Sequence, residues 1–192
     1  MNFSPILQRA AGPLSAFIAG AIFPLGFAPL DYTVVAPLAV GLLFLLWLPL
    51  NGLGAALLGF CFGLGAFAVG VSWVFVSLHT FGNMPIFLAT LVVAVFVAIM
   101  ACYTAACGFL QAGLRYLPTS VRMLLVMPAC WVFLEWLRGW FLTGFPWLYL
   151  GYGQVDTPLA AMAPLAGVLS VSLLAAVAGA AIILVLAGKI RE

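Results

Sequence analysis

Long apolar stretches, separated by short interruptions, run along the whole chain. They cover approximately residues 11–30, 34–50, 53–77, 86–114, 123–137 and 159–188. A helix that rises about 1.5 Å per residue needs about 20 apolar residues to cross a bilayer core about 30 Å thick. Five or six of the stretches meet that length, although prolines and glycines interrupt several of them. The pattern predicts an all-α, polytopic transmembrane helix bundle with about six membrane segments.

Composition supports the same class. The chain of 192 residues is 67% hydrophobic and 5% charged, whereas a soluble domain has about 25% charged residues. So few charges cannot cover a water-facing globule, and we expect residues 1–192 to form a single transmembrane domain. The net charge of +2 includes no basic run, so we expect no nucleic-acid partner.

The chemically reactive residues form no recognisable catalytic or metal-binding set. The four cysteines, at positions 61, 102, 107 and 130, lie inside apolar segments without CxxC spacing, which is typical of small buried hydrophobic residues. We therefore expect no disulfide, no metal site and no cofactor. His79 is the single histidine, and the sequence leaves open whether it is a general base or a hydrogen-bonding loop residue.

Basic residues indicate the orientation in the membrane, because Lys and Arg collect in cytoplasmic loops. A cytoplasmic N-terminus with alternating segments leaves only Arg138 on the outside. The cytoplasmic side then contains Arg9, Arg115, Arg122, Lys189 and Arg191. This asymmetry predicts that both termini are cytoplasmic and that residues 138–157 form an interfacial segment on the outer, periplasmic face.

That outer segment overlaps an unusual stretch, LEWLRGWFLTGFPWLYLGYGQ, at residues 134–154. The stretch contains three of the six tryptophans, two of the five tyrosines and the charges of Glu135 and Arg138. Tryptophan and tyrosine favour the membrane interface, where the ring is apolar and its N–H or O–H reaches water. An aromatic belt, however, needs neither this many rings nor breaks in the helix, so the stretch predicts a more specific role.

Glu135 and Arg138 are spaced three residues apart, so they can meet on one helix face. Charges in a bilayer are costly and usually pair or face a polar cavity. One interpretation is a structural ion pair at the interface. The other is that Arg138 holds an anionic phospholipid headgroup, because guanidinium binds phosphate in a bidentate manner. Phe145, Pro146 and Trp147 would then form an apolar wall beside the acyl chains.

Three stretches together resemble a known family. These are FAPLDYTVVAPLA, GFCFGLGAFAVGVSWVFVSLHTFGNMP and EWLRGWFLTGFPWLYLGYGQVDTPLAAMAPLAG. Their order and spacing are similar to the N-terminal membrane portion of bacterial apolipoprotein N-acyltransferases, from about residue 20 to residue 188. The segment that contains Phe145, Pro146 and Trp147 is long and unusual in composition, so the resemblance is specific.

The resemblance implies an activity and a location. Enzymes of this family transfer an acyl chain from a phospholipid to the free α-amino group of a lipoprotein's diacylglyceryl-cysteine. They form a thioester on the cysteine of a Glu-Lys-Cys triad, in a nitrilase-like domain on the periplasmic side of the bacterial inner membrane. That logic is covalent catalysis by an activated thiolate with a stabilised oxyanion.

The nitrilase-like domain has no counterpart in this sequence, which ends at KIRE after the sixth apolar stretch. No position matches the triad, so we expect no catalytic residue in the chain. We expect the membrane half of the enzyme, inactive alone, with the nitrilase-like domain supplied in cis or in trans. The partners implied are a phospholipid acyl donor and a diacylated lipoprotein acceptor.

On this interpretation the membrane half lines the lateral route by which both substrates reach the catalytic domain. The candidate substrate-binding residues are Trp73, His79, Glu135, Arg138, Phe145, Pro146 and Trp147. Two alternatives have other functions. One is a non-catalytic membrane scaffold or lipid-binding module that acts with a separate subunit. The other is a small transporter, which the scarcity of polar groups in mid-membrane disfavours.

Overall fold

The computed structural model describes residues 12–189, and most of them are helical. No strand occurs within this range, so the prediction of an all-α fold is confirmed. Arg9 and Arg191, which contributed to the predicted orientation, lie outside the described residues. The helices are α1 (Gly12–Ile22), α2 (Val35–Trp47), α3 (Gly52–Gly70), α4 (Trp73–Val76), α5 (Ile86–Ala112), α6 (Thr119–Arg138) and α7 (Ala163–Lys189).

Four of the described helices are long and apolar enough to cross a membrane. They are α3, α5, α6 and the Pro158–Gly188 helix that includes most of α7. Two shorter apolar helices, Gly12–Gly26 and Val35–Trp47, complete the set. Large apolar side chains on α5, including Phe87, Leu91 and Val95, point away from the protein. Such a surface suits lipid rather than water, and the polytopic membrane bundle predicted from the sequence is confirmed.

Glycines let the central helices approach closely. A Cβ added at Gly59 of α3 would collide with the carbonyl oxygen of Thr104 on α5, and one added at Gly63 would come within 2.6 Å of Ala101 Cα. A similar approach joins Gly41 of α2 to Gly179 of α7. Close backbone packing through small residues replaces the hydrophobic driving force that is missing between helices in lipid. Gly59 and Gly63 therefore allow α3 and α5 to pack backbone against backbone.

Aromatic rings fill the centre of the bundle around Trp131 of α6. Its ring centroid lies 6.0 Å from that of Phe62, 6.2 Å from Phe44 and 6.3 Å from Phe23, all in edge-to-face arrangements. Edge-to-face contact brings the positive edge of one ring to the negative face of another. Trp131 therefore connects α6 to α2, α3 and the turn that follows α1, one helical turn before the turn of α6 that carries Glu135 and Arg138.

Helix α6 begins four residues earlier than the apolar stretch at 123–137 predicted. Arg122, which looked like a loop residue in the sequence, is buried in the helix. Its guanidinium donates to the Leu48 carbonyl (3.1 Å) and to Gln111 Oε1 (3.0 Å). Because these two bonds give the guanidinium partners inside the bundle, the helix extends through Arg122 to Thr119. Residues 122–126 form a π-turn just before Pro128, whose ring would clash with the carbonyl of residue 124 in a regular helix.

The last apolar stretch, predicted as one segment, is divided in the structure. Pro158–Met162 is a 3₁₀ turn, and the helix that follows is kinked at Ala166 and Gly167. Gly167 has φ of +75°, a conformation that glycine adopts without strain. The Ser170 hydroxyl donates to the Gly167 carbonyl at 2.7 Å, and a continuous helix runs from there to Lys189.

Candidate functional site

The chain between α6 and α7 leaves the helix, turns sharply and re-enters the bundle. Its outer part, Phe141–Thr143 with Gly144, has positive φ at Leu142 (51°), Thr143 (75°) and Gly144 (82°). The Phe145 N–H then donates to the Arg138 carbonyl at 2.8 Å and closes the turn onto the end of α6. The inner part, 148–154, is largely buried and includes the 3₁₀ turn Leu150–Gln154, packed on α7. We call residues 139–157 the re-entrant segment.

A non-helical backbone inside a membrane bundle needs partners, because lipid offers no hydrogen bonds to its N–H and C=O groups. Arg138 supplies two of them. Its Nη1 donates to the Phe145 carbonyl (2.8 Å) and to the Trp147 carbonyl. The guanidinium lies over two rings, with its Cζ 5.2 Å from the Phe67 centroid and 5.1 Å from the Tyr149 centroid. Arg138 therefore fixes both carbonyls that flank Pro146.

Glu135 and Ser172 bind the N–H groups where the segment re-enters the bundle. Glu135 Oε1 accepts from the Leu150 N–H at 2.8 Å and from Trp131 Nε1 at 3.0 Å. Ser172 Oγ of α7 accepts from the Gly151 N–H at 2.8 Å. These N–H groups begin the Leu150–Gln154 turn, where a 3₁₀ helix has free donors. At the other end of the turn, Gln154 Nε2 donates to the Thr33 carbonyl at 2.7 Å.

Glu135 and Arg138 do not form a direct ion pair. Each charged group binds backbone atoms of the re-entrant segment instead, so the interpretation as an ion pair is corrected. Both are buried, with 3% of Glu135 and 5% of Arg138 exposed. In this structure the Arg138 guanidinium cannot reach a lipid headgroup unless the segment moves. The two charges are concentrated here because the irregular backbone needs charged donors and acceptors.

An open apolar groove lies beside the re-entrant segment and has a volume of about 690 Å³. One wall is the 24–30 loop after α1, and the other contains Trp73, Pro146 and Trp147. The Trp73 and Trp147 ring centroids are 5.4 Å apart, and Trp147 Nε1 donates to the Gly70 carbonyl at 3.2 Å. These contacts attach the outer wall to the end of α3.

Four of the seven predicted site residues do not line this groove. Glu135 and Arg138 lie behind it inside the bundle, and Phe145 and His79 lie elsewhere. Phe145 packs edge-to-face on Phe96 of α5, with centroids 4.9 Å apart. The His79 Nδ1 lies 2.8 Å from the Met84 carbonyl oxygen and its ring lies on Phe75. Since a carbonyl only accepts, Nδ1 carries the proton. His79 thus closes the loop before α5, as one of its two sequence interpretations predicted.

Several residues of the site were not selected from the sequence. Tyr149 and the 24–30 loop stand out only in the structure, because their role depends on which chain segments meet. Ser172 and Gln154 could have been selected as rare polar residues in an apolar sequence.

The fold and site together define a class. The chain is a polytopic helical membrane protein in which two buried charges hold a re-entrant segment at the side of an apolar groove. Residues 19–181 match the family described as apolipoprotein N-acyltransferase N-terminal domain. The chain belongs to this family, and the resemblance noted in the sequence is confirmed.

Individual relatives agree with the family assignment. The apolipoprotein N-acyltransferase of Methylococcus capsulatus is 48% identical over 167 residues, which cover 86% of this chain and 33% of the relative. Those of Vibrio cholerae (42% over 171 residues) and Coxiella burnetii (41% over 179 residues) cover 89% and 92% of this chain. They are matched over 34% and 37% of their own lengths. The chain thus spans about a third of the length of the curated relatives that it matches.

Proposed function

We propose that this chain is the membrane part of an N-acyltransferase of the bacterial inner membrane. The acyl donor is a phospholipid, and the acceptor is the N-terminal diacylglyceryl-cysteine of a lipoprotein. Membership of the family supports the reaction, and the helices of membrane-spanning length support the location. The whole of residues 1–192 acts as one membrane domain, with 138–157 at its periplasmic face.

The groove beside the re-entrant segment is the proposed lateral route for the substrates. The observation that carries this proposal is an apolar volume of about 690 Å³ bounded by Trp73, Pro146 and Trp147. Small-molecule sites are typically concave, mostly apolar and about 300–1,000 Å³ in volume. An acyl chain matches the apolar walls, and indole rings such as those of Trp73 and Trp147 favour the depth of the lipid headgroups.

The other candidate residues act around this route. Arg138 and Glu135 position its wall through the backbone of the re-entrant segment. Phe145 attaches the same segment to α5, and His79 stabilises the loop that precedes α5. This division replaces direct headgroup binding by Arg138 with a positioning role, because the guanidinium is buried against backbone carbonyls.

Photo-crosslinking tests the route. The chain is placed in lipid nanodiscs with a phosphatidylethanolamine that carries a diazirine in its acyl chain, and labelled peptides are identified by mass spectrometry. We expect labelling of the 24–30 loop and of the end of α3 near Trp73, at a higher level than on the outer face of α5. Trp147→Ala removes one wall and should lower the groove labelling selectively.

Trp136→Ala is the matched control. Trp136 is as exposed as Trp147 (46% against 49%) but does not line the groove, so its removal should leave the labelling pattern unchanged. Labelling of the groove at no more than the level of the outer face of α5 in the unaltered chain would refute the proposed route.

The chemistry itself is assigned to a nitrilase-like domain with a Glu-Lys-Cys triad, in cis or in trans. The chain alone should therefore form no acyl-thioester from phospholipid. When it is joined to such a domain, thioester formation and transfer to a diacylated lipopeptide should appear. In that joined protein Arg138→Ala should slow both steps about 100-fold, the scale of loss that a displacement of about 1 Å produces.

The assay has clear contrary outcomes. Thioester formation by the chain alone would contradict the assignment of the chemistry. Normal rates of both steps for Arg138→Ala in the joined protein, at normal protein levels, would contradict the positioning role. Arg115→Ala, at an exposed position, is the matched control and should retain both activities.

A further inference from the structure

A second, much smaller cavity lies inside the bundle on the other side of Leu148 from the groove. Its volume is about 30 Å³, and Leu148 lines both spaces. Aromatic rings form much of its wall, and the polar side chains that face it belong to Tyr103, Thr104, Glu135 and Arg138. Nearly all of the lining residues are buried, and Leu148 is the one lining residue that the cavity shares with the groove.

Glu135 leaves one oxygen without a partner at this cavity. Its Oε1 is bound to the Trp131 and Leu150 N–H groups, but its Oε2 is buried and has no hydrogen-bond partner. Buried carboxylate oxygens in native proteins are almost always hydrogen-bonded. An unpartnered oxygen beside a polar cavity therefore indicates a bound molecule that donates hydrogen bonds.

The size and chemistry of the cavity fit water. One water molecule needs about 10–15 Å³ of volume measured in this way and two to four polar partners. The cavity has room for one or two, and the hydroxyls of Tyr103 and Thr104 stand on its α5 side. A metal cation is disfavoured, because the Arg138 guanidinium shares the same cavity and repels positive charge.

We propose that this cavity is a hydration site, in which one or two ordered water molecules donate to Glu135 Oε2 and bridge it to the hydroxyls of Tyr103 and Thr104. The waters complete the binding of a carboxylate that holds the Leu150 N–H. They thereby connect Glu135 of α6, and through it the re-entrant segment, to helix α5. The Ser172 hydroxyl lies beside Glu135 and is the competing donor to Oε2, since its oxygen already accepts from Gly151.

Water-edited solid-state NMR can test the site directly. Glu135 and Glu192 are the only glutamates in the chain, so glutamate labelled with ¹³C at Cδ alone yields two side-chain carboxyl signals in lipid nanodiscs. Glu135→Gln identifies the Glu135 signal by its disappearance. We expect magnetisation to pass from water to the Glu135 carboxyl carbon in the unaltered chain. The Ser172→Ala variant should retain this transfer.

Two variants remove the water by different means. Ala66→Val fills the cavity from α3, where Ala66 lines it, and Thr104→Val removes a hydroxyl without changing the volume. Each should abolish the transfer to Glu135 while the signals of distant residues keep their shifts, and the Thr104 variant serves if Ala66→Val does not fold. The absence of transfer in the unaltered chain, or its persistence in both variants, would overturn the proposal.

Discussion

Arg138 and Glu135 show how a single turn of helix can organise an irregular backbone in a membrane. Both side chains point into the bundle, and both bind main-chain groups of residues that follow within 15 positions. A positive charge also suits the last turn of a helix, where free carbonyls give a partial negative charge. The shape of the re-entrant segment therefore depends on two buried side chains.

Arg138→Ala should destabilise the chain by about 2–6 kcal/mol, because it leaves two part-buried carbonyls without a donor at about 1–3 kcal/mol each. Thermal unfolding in detergent micelles, followed by circular dichroism, measures the loss. The control is Arg115→Ala, whose side chain is exposed and whose removal should change stability by less than about 0.5 kcal/mol. Equal stability of the two variants would show that the Arg138 bonds do not hold the segment.

The roles of individual residues were only partly predictable from the sequence. Glu135 and Arg138 stood out because charges are scarce, but their partners are backbone atoms of Phe145, Trp147 and Leu150. Backbone atoms carry no sequence signal, so the pattern suggested an ion pair or a headgroup ligand instead. The same reason explains why Ser172, which binds the Gly151 N–H, was not identified.

The positions of the helices agree more closely with those predicted from the sequence. Apolar length located six helices, and prolines and Asn51 mark several of their boundaries; Asn51 Oδ1 accepts from the Gly54 N–H at 2.8 Å at the start of α3. The observed helices differ from the predicted ones where tertiary contacts override the local sequence pattern. Arg122 is part of α6 because its guanidinium donates hydrogen bonds to Leu48 and Gln111. The backbone of α7 is kinked at Gly167 within an apolar run.

Gly59→Ala should separate α3 from α5, since the added methyl group would collide with the Thr104 carbonyl. We expect a loss of about 1–3 kcal/mol, the usual cost of overpacking. Gly188→Ala is the control, because a Cβ there meets nothing within 4 Å and should be neutral or stabilising by up to about 1 kcal/mol. The same unfolding assay compares the two, and a neutral Gly59→Ala would contradict the close packing of these helices.

At the scale of the whole molecule, the orientation in the membrane is the main expectation still to be measured. The placement of basic residues predicts that the loops after α1 and α4 and the re-entrant segment are periplasmic, and that the loop between α5 and α6 is cytoplasmic. Exposed positions are available on both sides, at Tyr32 and Phe81 on one and at Tyr116 on the other.

Cysteine labelling in intact cells measures this orientation. The four native cysteines are replaced by alanine, and single cysteines are introduced as Tyr32→Cys, Phe81→Cys or Tyr116→Cys. A membrane-impermeant maleimide should label the first two in intact spheroplasts and the third only after lysis. Labelling of Tyr116→Cys before lysis, with protection of the other two, would reverse the predicted topology.

The sequence by itself determined the membrane environment, the helical fold class and the family. These depend on the length of the apolar stretches, the low charge and the order of characteristic segments. Only the tertiary structure decided what residues 134–154 form. In the sequence this stretch was notable for its rings, charges and helix breakers, and the structure buries much of its second half against α7. The physical reason is that an irregular backbone can enter the bundle only where side chains from other turns satisfy it. Those contacts exist only once α6 and α7 have packed together.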